Sequence, residues 1–321
     1  MNFFHILSLM LPVIIPVAIG FLLGHYKVFH RGAADALMKF LLYVTFPGVI
    51  LGNLSGEHLE ELFNPAFIMA TVVATVGMFV FTYFAHKKYF HKGMRTTAMA
   101  SLSVAFVSAG IVGIPVMNNI IGIKATLIPV ILNTVVALMT VVPLTILLLR
   151  LNNKHKESPL QLAGLTAIDA LKNPLIASSI VGLAIAILGI KLPGWMTETF
   201  AKLGQATFAT ALVTVGVGIN LRTIQKDVRE ILFLSTLRVI VFTIVGFSIA
   251  LVFKLPPILA VPFVMIMSLP TAKSVPALGE AHDGIFVHES MQIVTLTTLM
   301  TVIIMPIVVV SANYIWPGVI R

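Results

Sequence analysis

Polar and apolar positions along this chain are segregated into long blocks. Ten windows contain no Asp, Glu, Lys or Arg: residues 3–26, 40–56, 62–86, 96–123, 125–149, 173–190, 203–221, 239–253, 255–272 and 290–320. A helix needs about 20 apolar residues to cross the hydrocarbon core of a bilayer. The windows therefore predict ten transmembrane spans. The eighth is short unless its helix begins near Ile231 and takes in Arg238. Backbone groups in lipid must bond within their own segment, so the predicted class is an all-α membrane protein. The most polar linker, residues 151–172, follows span 5. It divides a first five-helix unit, 1–158, from a second, 159–321. The first window has no basic residues ahead of it, so it is expected to be a retained span rather than a cleaved signal.

Composition agrees with the pattern. The 321 residues are 58% hydrophobic and 10% charged, against about 25% charged in soluble domains. This excludes a soluble enzyme, a disordered chain and a nucleic-acid binder. The net charge of +9 lies mostly in short segments between apolar blocks. The ends after spans 1, 3, 5 and 7 carry 13 Lys and Arg; the opposite ends carry 5 (Lys124, Lys191, Lys202, Lys254 and Arg321). Basic loops stay in the cytoplasm, so both termini are expected outside a cell membrane.

The two halves repeat. Leu138-Met139-Thr140-Val141 recurs as Leu299-Met300-Thr301-Val302, and Ile114-Pro115 matches Val275-Pro276, both at an offset of 161. Pro12 and Gly20 match Pro174 and Gly182 at 162. Each half has five spans, an odd number, so the second would be inserted inverted. Inverted repeats of this kind mark secondary transporters.

Spans 4 and 9 share a further feature. Span 4 reads Ser108-Ala109-Gly110-Ile111-Val112-Gly113-Ile114-Pro115, and span 9 reads Pro270-Thr271-Ala272-Lys273-Ser274-Val275-Pro276. Proline removes a backbone donor and clashes with the preceding turn, and glycine weakens helix. Both spans are predicted to be broken there. Unwound backbone at membrane depth is tolerated only inside protein or beside a water-filled cavity. Half-helix N-termini at such breaks favour anions.

These motifs, with Gly20-Phe21-Leu22-Leu23-Gly24 and Phe46-Pro47, resemble the auxin efflux carrier family, the bacterial relatives of plant PIN-type carriers. The resemblance spans the whole chain; its most specific parts are Gly110–Pro115 and Leu269–Leu278. Many family members have Asn where this chain has Ser108. The resemblance implies a bile-acid sodium symporter-like fold with helices 4 and 9 crossing at their breaks. It implies a scaffold of spans 1, 2, 6 and 7, often dimeric, and a moving domain of spans 3–5 and 8–10. It implies organic-anion substrates such as auxin, malate or malonate.

Lys273 is the sharpest single candidate. A lysine at membrane depth costs about 2.5–3.5 kcal/mol on insertion scales and marks function by default. It could attract a substrate carboxylate, or instead bond free carbonyls or reach for the interface. Ser108, Thr271 and Ser274 are candidate hydroxyl donors. Gly110, Gly113, Pro115, Pro270 and Pro276 shape the breaks. Asn133 is a candidate ligand contact or an interhelical bond. Arg238 reads as a positive-inside residue, and Asn53 and Asn220 as helix-end caps. The nine histidines, His86 among them, fall mostly in loops, and the acids fall in loops or at span ends.

No zinc-protease, nucleophile-elbow or phosphate-loop motif occurs, and there is no cysteine. No catalytic residue, metal site or cofactor is expected. The sequence thus points to a secondary transporter of small organic anions working by elevator-type alternating access. A membrane sensor or a passive anion channel using the same pocket is the alternative.

Overall fold

The computed structural model describes residues 3–29, 32–54, 64–151, 174–190, 192–219 and 227–320. The segmental apolar pattern becomes helix throughout. Span 1 is α1 (Phe3–His25), and span 2 is α2 (Ala33–Phe40) and α3 (Phe46–Leu54), joined by a π turn at Leu41–Thr45. Span 3 is α4 (Pro65–Phe90). Span 4 is α5 (Met94–Ala105), then an extended link, a π turn at Ala109–Gly113 and α6 (Ile114–Ile121). Span 5 is α7 (Ile123–Met139) and α8 (Val141–Arg150); spans 6 and 7 are α9 (Pro174–Ile187) and α10 (Gly194–Val217). Span 8 is α11 (Val228–Thr236), a π turn at Leu237–Val241 and α12 (Phe242–Val252). Span 9 is α13 (Pro257–Met267) and α14 (Ser274–Glu280), and span 10 is α15 (Val287–Ile315).

Six of these rods are long and apolar enough to cross a membrane: Ala33–Asn53, Pro65–Phe90, Ile123–Arg150, Gly194–Val217, Val228–Val252 and Val287–Ile315. Shorter apolar helices cover Leu11–His25, Ala109–Ile121, Ile176–Ile185 and Pro257–Met267. The described residues contain no β-strand. The expected boundary at 158/159 and Asn220 lie outside the described residues.

Local chemistry sets the helix ends. Asn64 accepts from the Ala66 and Phe67 amides at 2.8 and 3.4 Å, ahead of Pro65 at the first position of α4, as N-terminal capping requires. Hydroxyls within the helices bond back one turn, as Thr71 does to the Phe67 carbonyl at 2.8 Å and Thr126 to that of Gly122 at 2.7 Å. The rods keep large apolar side chains outward, among them Ile15, Ile19, Phe84, Val252 and Ile303. Such a surface suits lipid and not water.

Two windows understate their helices. Span 2 begins at Ala33 and includes Asp35 and Lys39. Span 8 begins at Val228 and runs through Arg238. Charge-free windows stop at every ionisable residue, but the helices run on through Asp35, Lys39 and Arg238.

α10 packs most extensively against α1 and α3. The α1 seam works because glycines face each other. A Cβ on Gly20 would lie 2.1 Å from the Val213 carbonyl oxygen, and one on Gly216 would lie 2.1 Å from that of Val17. Small residues permit this close backbone approach where no hydrophobic force drives helices together in lipid. Gly216→Val should therefore lower the apparent melting temperature in detergent by several degrees, as overpacking costs about 1–3 kcal/mol. Gly77→Ala is the control: a Cβ at Gly77 meets nothing within 4 Å. Equal melting of Gly216→Val and wild type would contradict the seam.

Candidate functional site

The two interrupted spans meet. After α5 the chain turns extended at Phe106 (φ −98°, ψ 110°). Val107 then forms an isolated antiparallel bridge with Thr271 of span 9. The Ser108 amide donates to the Pro270 carbonyl at 2.9 Å, and the Ala272 amide donates to the Phe106 carbonyl at 3.0 Å. The Thr271 hydroxyl donates to the Ser103 carbonyl at 2.6 Å, while its amide donates to Thr297 Oγ1 at 3.2 Å. The Thr301 hydroxyl closes the far side by donating to the Ser268 carbonyl at 3.0 Å. Both unwound segments are almost wholly buried from Phe106 to Gly110 and from Ser268 to Ala272.

Ser108, Gly110, Gly113, Pro115, Pro270 and Thr271 come together here. Pro115 sits in the first turn of α6, where its missing donor costs nothing. Gly113 lies against span 9, since a Cβ there would meet Leu269 Cδ1 at 2.7 Å. The Ser108 hydroxyl is buried without a hydrogen-bond partner. The same holds for Asn133 Oδ1. Asn133 is three residues from Val130, which packs beside Gly113, so it shares the α7 face that meets the π turn. Two unpartnered acceptors so close to a break are uncommon among buried polar groups.

The structure separates the other candidates. Ser274 is exposed at the start of α14, and Pro276 is buried within that helix. Lys273 is half-buried and turns away from the break toward α10. Its Nζ donates to the Thr214 carbonyl at 3.3 Å, in the last turn of that helix. Gly218 makes room, because a Cβ there would lie 2.7 Å from Lys273 Nζ. A cation at a helix C-terminus is electrostatically favourable. The carbonyls that Lys273 bonds belong to α10 and not to its own break.

Beside the break lies a cavity of about 30 Å³, lined by Val112, Val116, Pro270, Thr298 and Thr301 with residues of α1 and α10. That is room for about one water. Lys273, Ser108 and Asn133 do not line it.

Three features exceed the sequence reading. Arg238 is fully buried, not interfacial, with its guanidinium carbon 4.7 Å from the Phe242 ring centre and Nη2 3.5 Å from the Ile266 carbonyl. His86 is not in a loop: it is buried near the end of α4, with Nε2 2.7 Å from Glu230 Oε1 and Nδ1 3.3 Å from Thr97 Oγ1. Glu230, at the start of α11, is buried as well, with Lys92 3.6 Å from its other oxygen. The pair joins residues 144 positions apart, so no spacing in the sequence reveals it. Asn53 is no C-terminal cap of the glycine type; its amide donates to Val49 one turn back at 2.7 Å.

Residues 5–309 match the Membrane transport protein family. The chain belongs to that family, the auxin efflux carrier family, which is a family of transporters and not of enzymes. Among curated proteins, it is 24% identical over 212 residues to "Uncharacterized transporter YfdV" of Escherichia coli K12, covering 65% of this chain and 67% of the relative. It is 25% identical over 303 residues to "Putative malonate transporter" of Rhizobium meliloti, covering 93% of each.

The His86–Glu230 pair yields a stability test. Removing one partner of a buried hydrogen-bonded pair leaves the other unsatisfied at a cost of about 1–3 kcal/mol, whereas apolar replacement of both is far milder. His86→Ala should melt well below His86→Leu/Glu230→Leu in detergent. If the double variant melts lower than His86→Ala, the two side chains do not satisfy each other in the core.

Proposed function

We propose that this membrane transport protein is a secondary transporter of small organic anions, mono- or dicarboxylates such as malate or malonate. It would work by elevator-type alternating access. The observation that carries the reading is the buried antiparallel pairing of two interrupted helices, through Ser108 and Ala272 amides and the Pro270 and Phe106 carbonyls. In this reading ten spans form a 5+5 inverted repeat. α1–α3, α9 and α10 are the scaffold; α4–α8 and α11–α15 are the moving body. Both termini lie outside the cell membrane, and the scaffold offers the surface for a homodimer. The relative named for malonate supports the substrate class.

The chemistry follows from the same residues. The substrate carboxylate would meet the π turn after Ser108, whose first N–H groups have no helical partner, together with the Ser108 hydroxyl. Lys273 supplies the charge. Its ammonium donates to the Thr214 carbonyl of the proposed scaffold at 3.3 Å. A charge-assisted bond to a carboxylate is about twice as strong as a neutral one. Substrate would therefore draw Lys273 off α10 and release the moving body from the scaffold.

Uptake of labelled malonate into proteoliposomes tests this. Saturable uptake with counterflow is expected. Binding without flux would make the protein a sensor, and flux without saturation or counterflow a channel. Lys273→Ala should lower transport at least about tenfold, since a lost charge-assisted contact costs about 1.5–3 kcal/mol, and Lys273→Arg should keep part of it. Wild-type affinity and rate in Lys273→Ala would remove Lys273 from the site.

Transport is expected to run without sodium. Neither break contributes a carboxylate, and hard cations want oxygen ligands. A cation 4 Å from Lys273 would be repelled by about 4 kcal/mol at an effective dielectric of about 20. Uptake measured with choline in place of sodium, at fixed pH and membrane potential, should be unchanged. A steep saturable sodium dependence would overturn this point.

A further inference from the structure

The larger polar cavity at the junction of the two proposed bodies is not at the crossing. It measures about 210 Å³ and lies between α3, α6, α7 and α10, with Asn53, Asn118 and Gln205 among its lining residues and Val49, Ile123 and Phe208 as its apolar walls. We propose that this cavity is an outer holding site, where a small carboxylate is bound before it passes to the crossing. The inference rests on the transport reading above.

Three observations point there. First, the lining is chemically selective. Asn53 spends one amide hydrogen on Val49 at 2.7 Å, which leaves it a second donor. Each carboxamide has two N–H donors, and a carboxylate is acceptor-only. Three neutral carboxamides around one space can grip such a group without a fixed charge. Binding is then weak and reversible, as a relay site requires.

Second, the cavity sits where the two bodies meet. One wall is stiff: a Cβ on Gly48 would lie 2.8 Å from Leu203 Cβ, and one on Gly204 would lie 3.3 Å from Val49, so α3 and α10 are in near backbone contact. The other wall is α6 and the start of α7, the arm that leaves the crossing.

Third, the same helix lines both spaces. Val116 borders the closed 30 Å³ cavity, and Asn118 borders the open one. Two residues of helix rise only about 3 Å. Residues two apart turn to opposite sides of a helix, so α6 itself stands between a ligand held by Asn118 and the smaller cavity and must shift to let it pass. The basic-loop asymmetry puts this end of α6 outside.

The chain has no cysteine, so Gln205→Cys carries the sole thiol. Gln205 is exposed on α10, and the change is sterically mild. A membrane-impermeant maleimide added outside should label it, and saturating malonate should slow labelling at least about fivefold. Thr199→Cys, exposed on the same helix, should label at a rate indifferent to malonate. Asn118→Leu should raise KM for uptake from outside about fivefold or more, with the maximal rate within about twofold. If wild-type protein takes up malonate but malonate leaves Gln205→Cys labelling unchanged, the holding site is overturned. Labelling only from the cytoplasmic side overturns it too. If malonate protects the thiol while wild-type protein shows no flux, the site stands and the transport reading falls.

Discussion

The fold depends on two backbone hydrogen bonds at membrane depth. An interrupted helix strands N–H and C=O groups, and each one left unpaired in hydrocarbon costs several kcal/mol. Here two interruptions answer each other: Ser108 donates to Pro270 and Ala272 to Phe106. Threonines of α15 finish the accounting, with Thr297 accepting from the Thr271 amide and Thr301 donating to Ser268. The breaks are therefore affordable only as a pair, and only with α15 alongside. This welds four half-helices into one unit whose centre still holds polar backbone.

Two cations show how the same physics serves different ends. Arg238 and Lys273 each sit at the C-terminal turn of another helix, Arg238 at α13 and Lys273 at α10. Helix C-termini carry partial negative charge, which both exploit. Arg238 is fully buried, with the Phe242 ring as a second partner, so it fixes packing within the unit that contains the breaks. Lys273 is half-buried and reaches across to α10 along Gly218. A single bond from a partly exposed lysine to another helix can be broken by a better partner. That asymmetry separates a structural cation from one suited to ligand exchange.

Much of this was legible in the sequence. Apolar blocks located the helices, because lipid demands long apolar runs. Proline and glycine placed the breaks at 108–115 and 270–276, because those residues act locally on backbone. Side-chain direction was not legible. Lys273 and Ser274 are neighbours of Thr271 in sequence, yet only Thr271 turns into the crossing. His86 and Glu230 looked like loop and helix-end residues, because their burial arises from packing between distant segments. Helices 2 and 8 were shortened by their own charges, since a charge-free window cannot see that Arg238 has a ring and a carbonyl beside it. The carboxamide cavity needs Asn53, Asn118 and Gln205 from three helices, and no spacing rule joins them.

The central claim is that the crossing unit moves as one body against α1, α3 and α10. Spin-label distances test it most directly, because the cysteine-free chain accepts labels without further change. A Phe84→Cys/Thr199→Cys pair reports between α4 and α10, and a Phe84→Cys/Ile303→Cys pair reports within the proposed moving body. Reconstituted in lipid and given saturating malonate, the first distance distribution should shift by several ångströms or split in two, while the second stays fixed. Unchanged distributions for both pairs, in protein that transports malonate, would contradict the account.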